Sequence, residues 1–350
     1  MARIGIIFGG RSGEHEVSLM SAASVIEAMT GKKFEIVKIG ITKNGEWRLY
    51  EGPVEEIESG GWEEKASPLN PGSLREVIDF AFPVLHGPFG EDGTIQGLFE
   101  ILGIPYAGCG VLASSVAMDK LTAKEVFTNK GLPVCSYMAI MSDELFGDKA
   151  RLTTKIEREF SAKYPLFVKP SNMGSSVGVS KVGSRIDLAL ALLEAAKHDS
   201  RLIVEEGIDA RELEIAVLGN KELVTGTVGE IVTEAEFYDY NSKYIDENKT
   251  RIIVPANVSP DLADQLKEIA LDAFRAIDCA GFARVDFLVE KGTERIYLSE
   301  INTIPGFTRF SMFPRLWNGA GFSYSELLER IVDLGYERHN AKNRRQATLI

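Results

Sequence analysis

The sequence predicts an α/β protein whose first hundred residues form a parallel sheet. Two observations carry that expectation. Short apolar runs alternate with helical spacings, as crossover βαβ units require. Val17 to Met29 and Gly93 to Leu102 supply those helical spacings between apolar runs. The length of 350 residues suits two or three domains at about 150 residues each.

The elements follow in order. RIGIIF (3–8) reads as the first core strand rather than as a signal peptide, which needs a longer apolar stretch and a small-residue cleavage site. Val17 to Met29 has a helical spacing, FEIVKIGI (34–41) is a second strand, and the polar, Gly- and Glu-rich 51–75 is a surface insertion. FAFPVLHG (80–87) is a third strand, Gly93 to Leu102 a helix, and IPYAG (104–108) a further strand. This first block, 1–108, is expected to be an N-terminal domain. A second block, 109–208, has helices near 111–131 and 185–197 and strands at 136–141, 164–169 and 201–206. The third block, 209–337, opens with LEIAVLG (213–219) and ELVTGTVGEI (222–231), continues through a polar stretch, 232–250, and ends in a helix (259–277), two strands (281–289 and 294–302) and a helix (323–334). A structureless stretch as long as 232–250 inside a compact domain is usually a lid. The basic tail 338–350 is expected to fray.

Charge and cysteines exclude several classes. The net charge of −12 argues against a nucleic-acid partner, which needs a dense basic face. No uncharged apolar run approaches the ~18 residues of a membrane span, so no membrane partner is expected. Cys109, Cys135 and Cys279 are scattered without paired spacing, which suits reduced thiols in a cytoplasm and neither a disulfide framework nor a zinc site.

Two segments point to phosphate and metal chemistry. FGGRSG follows the first strand, but Gly9, Gly10 and Gly13 do not give G-x-G-x-x-G. GSSVG (174–178) follows the strand YPLFVK, which ends on Lys169; small residues with free backbone N–H groups can fold over a polyphosphate while a lysine supplies a point charge. The sharper signal is FARVDFLV (282–289) with RIYLSEIN (295–302). If they form a hairpin with an odd-length loop, period two puts Arg284, Asp286, Glu300 and Asn302 on one face. Val285, Phe287, Val289, Tyr297 and Ile301 then fall on the other. Two carboxylates and an amide oxygen are hard ligands, suited to Mg²⁺ shared with phosphates. A solvated face with an ordinary ion pair is the plainer alternative.

The segments GGRSGEHEVSL (9–19), LHGPFGEDGTIQG (85–97), MDK (118–120), VKPSNMGSSVG (168–178), EFYDYNSKY (236–244), GFARVDF (281–287) and EINTIPGFT (300–308) together resemble the D-alanine–D-alanine ligase family of the ATP-grasp superfamily. The resemblance runs from Ile4 to about Leu334. It implies an ATP-grasp fold, α+β in its two grasp domains (109–208 and 209–337), preceded by the parallel-sheet domain. It implies ATP-dependent joining of two D-alanine molecules through a D-alanyl phosphate, for peptidoglycan precursors, in the cytoplasm and as a homodimer. Lys120, Lys169, Gly174, Ser175, Ser176, Glu205, Glu206, Ile208, Glu212 and Lys243 are then the nucleotide side, with Glu206 in a variable stretch. Asp286, Glu300 and Asn302 would hold two Mg²⁺ ions, with Mn²⁺ an alternative. Glu16 would meet the first D-alanine's ammonium and join Ser175 and Tyr244 in closing the lid 232–250. His86 would meet that substrate's carboxylate, although alone it reads as a packed histidine. Arg284 and the Gly306 N–H would stabilise the oxyanion, and Ser311 and Met312 would border the second D-alanine. Tyr244 and Met312 suit D-alanine as second substrate; D-serine or D-lactate ligases on the same fold, and a non-catalytic ATP-binding module, are the alternatives.

Overall fold

The computed structural model describes residues 1–233 and 250–347. The first sheet is built around Ala2–Gly9, which is parallel to Phe34–Ile41 on one side and to Phe80–Pro83 on the other. Ile4, Ile6, Ile7 and Phe8 are all buried, because a central parallel strand is covered on both faces. Two short strands, Trp47–Tyr50 and Ser67–Pro68, extend the sheet antiparallel at one edge. The helix His15–Met29 packs on the first strand.

The segment 51–75 lies largely at the surface, as its polarity suggested, but it is pinned by a few buried apolar residues. Trp62, Ile57 and Leu74 are fully buried, and the Trp62 ring meets Phe8 edge-on at 5.1 Å. It lies so close to Gly40 that a Cβ there would sit 2.1 Å from it. Sparse apolar residues in a polar stretch hid this plug. The expected strand 104–108 shrinks to one bridge, Ala81 with Tyr106.

The second block forms a four-stranded antiparallel sheet in the order Tyr137–Met141, Arg201–Glu206, Leu166–Pro170, Ser180–Val182. The helix Arg185–Ala195 was expected and Lys149–Glu159 was not; the latter buries only Leu152, Thr153 and Ile156. The helical run near 111–131 breaks at Asp119, whose extended backbone and side chain cap Lys120–Asn129 through the Thr122 N–H. This sheet keeps its own core, with Ile140, Leu166, Val168, Leu188 and Val204.

The third sheet is antiparallel: Thr250–Ile253, Gly229–Thr233, Ala210–Gly219, Gly281–Glu290, Ile296–Asn302, with Leu223–Thr225 also on Ala210–Gly219. The run read as one strand over 222–231 is interrupted where the Thr227 N–H leaves the ladder for the Leu316 carbonyl. Leu316 belongs to an unforeseen helix, Met312–Gly319. The last helix, Tyr324–Ala347, passes well beyond the expected end. The tail does not fray at Tyr336: that ring stacks on Phe80 at 4.9 Å, the Arg338 guanidinium lies 4.1 Å from the Tyr106 ring centre and bonds the Gly108 carbonyl, and Lys342 pairs with Glu100. The first and third sheets share one core, along which Phe82, Phe307, Phe282 and Phe313 touch ring to ring. Among the described residues no helix is long and apolar enough to cross a membrane.

Candidate active site

The strands Gly281–Glu290 and Ile296–Asn302 pair Arg284 with Asn302 and Asp286 with Glu300, as side-chain alternation requires. One irregularity between Asp286 and Phe287 shifts the register beyond them. Leu298, not Tyr297, therefore joins Val285, Phe287, Val289 and Ile301 on the buried face. The Arg284 guanidinium is forked onto Asp286, at 2.7 and 2.6 Å, and its Nε also lies 2.8 Å from Glu214 Oε2. Burial works against its charge, but Asp286 and Glu214 hold its pKa well above the ordinary value. Glu214 faces Asp286 across the ladder from Ala210–Gly219, and Glu212 lies two residues earlier on the same face. Asn302 Nδ2 donates to Asp286 Oδ2 at 3.1 Å, leaving the amide oxygen as an acceptor.

A second corner forms at the start of the helix His15–Met29. Gly9 has φ +85°, and a Cβ there would strike the Ile41 carbonyl at 2.2 Å. The turn is thus a tight passage from strand to helix. His86 accepts and donates within the framework: Nδ1 is 2.9 Å from the Ile304 carbonyl and Nε2 3.0 Å from Ser21 Oγ. A carbonyl only accepts, so Nδ1 carries the proton and Ser21 donates to Nε2. Ser21 Oγ in turn accepts the Phe307 N–H at 3.3 Å. Burial lowers the His86 pKa, against the opposing pull of Glu14, so the ring is neutral.

Glu91 is buried beside it and accepts N–H groups from Gly87 (2.7 Å) and Ile304 (3.2 Å). Burial, then the charge of Glu14, pushes its pKa up to about 8 despite those bonds. A carboxyl raised in the folded state from the usual 4.5 to about 8 binds more protons folded than unfolded between those values. Its contribution to stability is complete below the lower value and lost as pH rises through the upper one. Melting temperature should therefore fall from pH 5 to 8 through this group, and Glu91→Gln should flatten that slope; an unchanged slope in the variant would refute the assignment.

Basic residues line the central sheet. Lys120 Nζ donates to the Met173 carbonyl at 2.6 Å, tying its helix to the segment before Gly174. Ser175 and Ser176 take left-handed backbones, φ 50° and 59°, a conformation uncommon for non-glycine residues. Lys169 and Glu205 are diagonal neighbours on adjacent strands, 2.5 Å apart, and Lys124 reaches the other Glu205 oxygen at 3.0 Å. Burial would raise the Glu205 pKa, but the two lysines hold it far below the carboxylate range. Glu206 turns away and accepts from the Ser136 N–H and hydroxyl. Ile208 is half-buried in the connection to Ala210–Gly219.

Residues 3–109 match the description of the D-ala D-ala ligase N-terminus and 126–333 that of the D-ala D-ala ligase C-terminus. The D-alanine–D-alanine ligase of Acetivibrio thermocellus is 48% identical, covering 97% of this chain and 96% of its own. The chain belongs to the D-alanine–D-alanine ligase family. That of Thermoanaerobacter sp. (strain X514) is 46% identical over 98% of both chains. Among solved structures, the D-alanine–D-alanine ligase of Coxiella burnetii superposes with a TM-score of 0.87 at 32% identity, covering 99% of this chain and 97% of its own. The VanG D-Ala:D-Ser ligase of Enterococcus faecalis gives 0.85 at 38%, covering 95% and 99%.

Within this ligase fold not every expected residue reaches the site. Glu16 is exposed and paired with Lys43. Glu14 is the buried one: a Cβ at Gly87 would lie 2.8 Å from Glu14 Oε2, and one at Gly174 3.1 Å from it. The acid that lies between the first block and the GSSVG segment is therefore Glu14. His86 has both ring nitrogens engaged, so the packed reading describes it. Met312 is buried in the main core, its sulfur 2.6 Å from where a Gly229 Cβ would be. Ser311 begins the helix Met312–Gly319 and bonds Thr308 Oγ1 at 2.7 Å; a Cβ at Gly306 would sit 2.9 Å from its hydroxyl. Tyr244 and Lys243, with most of the lid 232–250, lie outside the described residues. Sequence reasoning missed Glu14, Ser21, Glu91, Lys124 and Glu214. Helical spacing could have found the first two, since Ser18 and Ser21 share the inward face that Glu14 begins.

Among the described residues, no three His, Cys, Asp or Glu side chains gather closely enough to hold an ion. By donor chemistry, Asp286, Glu300 and the Asn302 oxygen are hard oxygen ligands of the kind that would suit a divalent cation shared with phosphates.

Proposed function

We propose that this protein joins two D-alanine molecules at the expense of ATP, forming D-alanyl-D-alanine through a D-alanyl phosphate for peptidoglycan precursors. The observation that carries this reading is full-length family membership combined with one set of geometry. The acid face at Arg284, the Glu14 corner and the Lys120–Lys169 floor are all built from the segments the resemblance matched.

A carboxylate is a poor acylating agent, so it must first take the γ-phosphoryl group. Lys120 and Lys169 counter the repulsion between that carboxylate and the triphosphate. Mg²⁺, in two ions, would supply Lewis-acid neutralisation of the phosphates, held by Asp286, Glu300 and Asn302. Glu14, with its carboxylate against Gly87 and Gly174, binds the first substrate's ammonium and orients its carboxylate. The neutral His86 keeps the Ile304–Phe307 segment registered on the first helix through Ser21. The second D-alanine's amine attacks the acyl phosphate. Arg284 and the Gly306 N–H then bear the developing oxyanion, Ser311 holds the incoming carboxylate, and phosphate leaves. The lid segment, with Tyr244, excludes water while the acyl phosphate exists.

The 38% identity to the D-Ala:D-Ser ligase favours D-serine as the one competing second substrate. Phosphate release should be ATP-dependent with D-alanine alone, and D-alanyl-D-alanine should dominate when equal D-serine is added. No turnover with D-alanine alone would overturn the reading, and a D-alanyl-D-serine product would transfer it to the competitor.

A further inference from the structure

Lys124 is a buried cation that the steps above do not use. It lies one turn after Lys120 on Lys120–Asn129, with 3% of its side chain exposed. A lysine so buried is stable only when paired. Its ammonium is 3.0 Å from Glu205 Oε1 and 3.3 Å from Cys135 Sγ, and it lies 5.9 Å from the centre of the Tyr137 ring. Burial keeps the Cys135 thiol protonated, so Glu205 is the anion that matters. The same carboxylate holds Lys169 through its other oxygen at 2.5 Å, and Lys169 remains 20% exposed. Two ammoniums therefore share one carboxylate, and the group carries one positive charge beyond neutrality, at its exposed end.

We propose that Lys124 is a positioning residue for nucleotide binding: it keeps Glu205 compensated so that Lys169 can move from Glu205 to a phosphate oxygen. Without Lys124, Lys169 is the sole counter-ion of a carboxylate that is 93% buried by side-chain area, its exposure being 7%. Leaving it would strand that charge, and a stranded buried charge costs more than a missing surface pair. Lys169 is then retained, and ATP loses its partner. The inference rests on the reading of Lys169 as a phosphate contact.

The test is steady-state phosphate release against ATP, with Mg²⁺ and saturating D-alanine. Lys124→Met should raise KM for ATP about tenfold with kcat within about threefold, as expected for losing ground-state binding of one charged contact. Lys124→Arg keeps a second cation on Glu205, so its KM should stay within about threefold of wild type. A merely structural role would lower kcat and melting temperature in Lys124→Met without a selective rise in KM for ATP, and that result overturns the inference. Should Lys124→Met not fold, Lys124→Gln carries the test: it removes the charge while keeping a polar side chain, and a KM within about threefold of wild type would refute the idea. Lys169→Met is measured alongside. If it leaves KM unchanged, the phosphate reading of Lys169 fails; if it raises KM while Lys124→Met does not, only the role of Lys124 fails.

Discussion

Arg284→Met is expected to lower kcat by about 10²–10³ and to lower the melting temperature in the same variant. The two effects have one origin. The guanidinium is bonded to Asp286 through two nitrogens and lies against Glu214, with Glu300 also acting on its charge. An oxyanion donor held this rigidly pays no reorganisation when charge develops on the reacting carbon's oxygen. The same packing means that truncation leaves clustered carboxylates without their cation, and breaking a buried pair costs about 3–5 kcal/mol. Mg²⁺ should therefore stabilise the variant more than the wild type, since a divalent cation can occupy the acids the arginine has vacated. Phosphate-release rates and melting curves with and without Mg²⁺ read both effects. A folded variant turning over within tenfold of wild type would remove Arg284 from the chemistry.

How legible these residues were in the sequence follows from the period of the element carrying them. The acid face was legible because strand alternation fixes two faces, and an odd loop fixes which residues of the partner strand share them. That logic held from Arg284 to Asp286 and failed at Tyr297, past a register shift that alternation cannot foresee. The sheets themselves were readable as apolar runs, but Trp62 and Lys149–Glu159 were not, because each buries a few side chains from a polar stretch. Glu91, Lys124 and Glu214 were hidden for a related reason. A buried charge is defined by the partner that satisfies it, and those partners, Ile304, Glu205 and Arg284, come from elsewhere in the chain. The last helix ran past its expected end because its polar residues find partners in the first block, namely Gly108 for Arg338 and Glu100 for Lys342.

Glu14→Gln should reduce kcat/KM for D-alanine about 10²-fold, whereas Glu16→Gln should stay within about twofold of wild type. The two acids sit in one motif and differ by two residues, and a helix turns about 200° over two residues. Its inward side carries Ser18 and Ser21, both fully buried, and the chain enters it from Glu14. Glu16 therefore points away and pairs with Lys43 in solvent, an interaction whose loss costs little. Glu14 presents a carboxylate to Gly87 and Gly174, the residues that bring the first block against the 174–178 turn. An ammonium bound there exchanges water for a buried anion, and hydrogen bonds to charged groups contribute about 1.5–3 kcal/mol. Neutralising Glu14 also removes one of the two influences that raise the Glu91 pKa. The stability profile of Glu14→Gln should accordingly shift its fall to lower pH, a readout independent of turnover. Equal losses from both substitutions, or a larger loss from Glu16→Gln, would return the ammonium contact to Glu16.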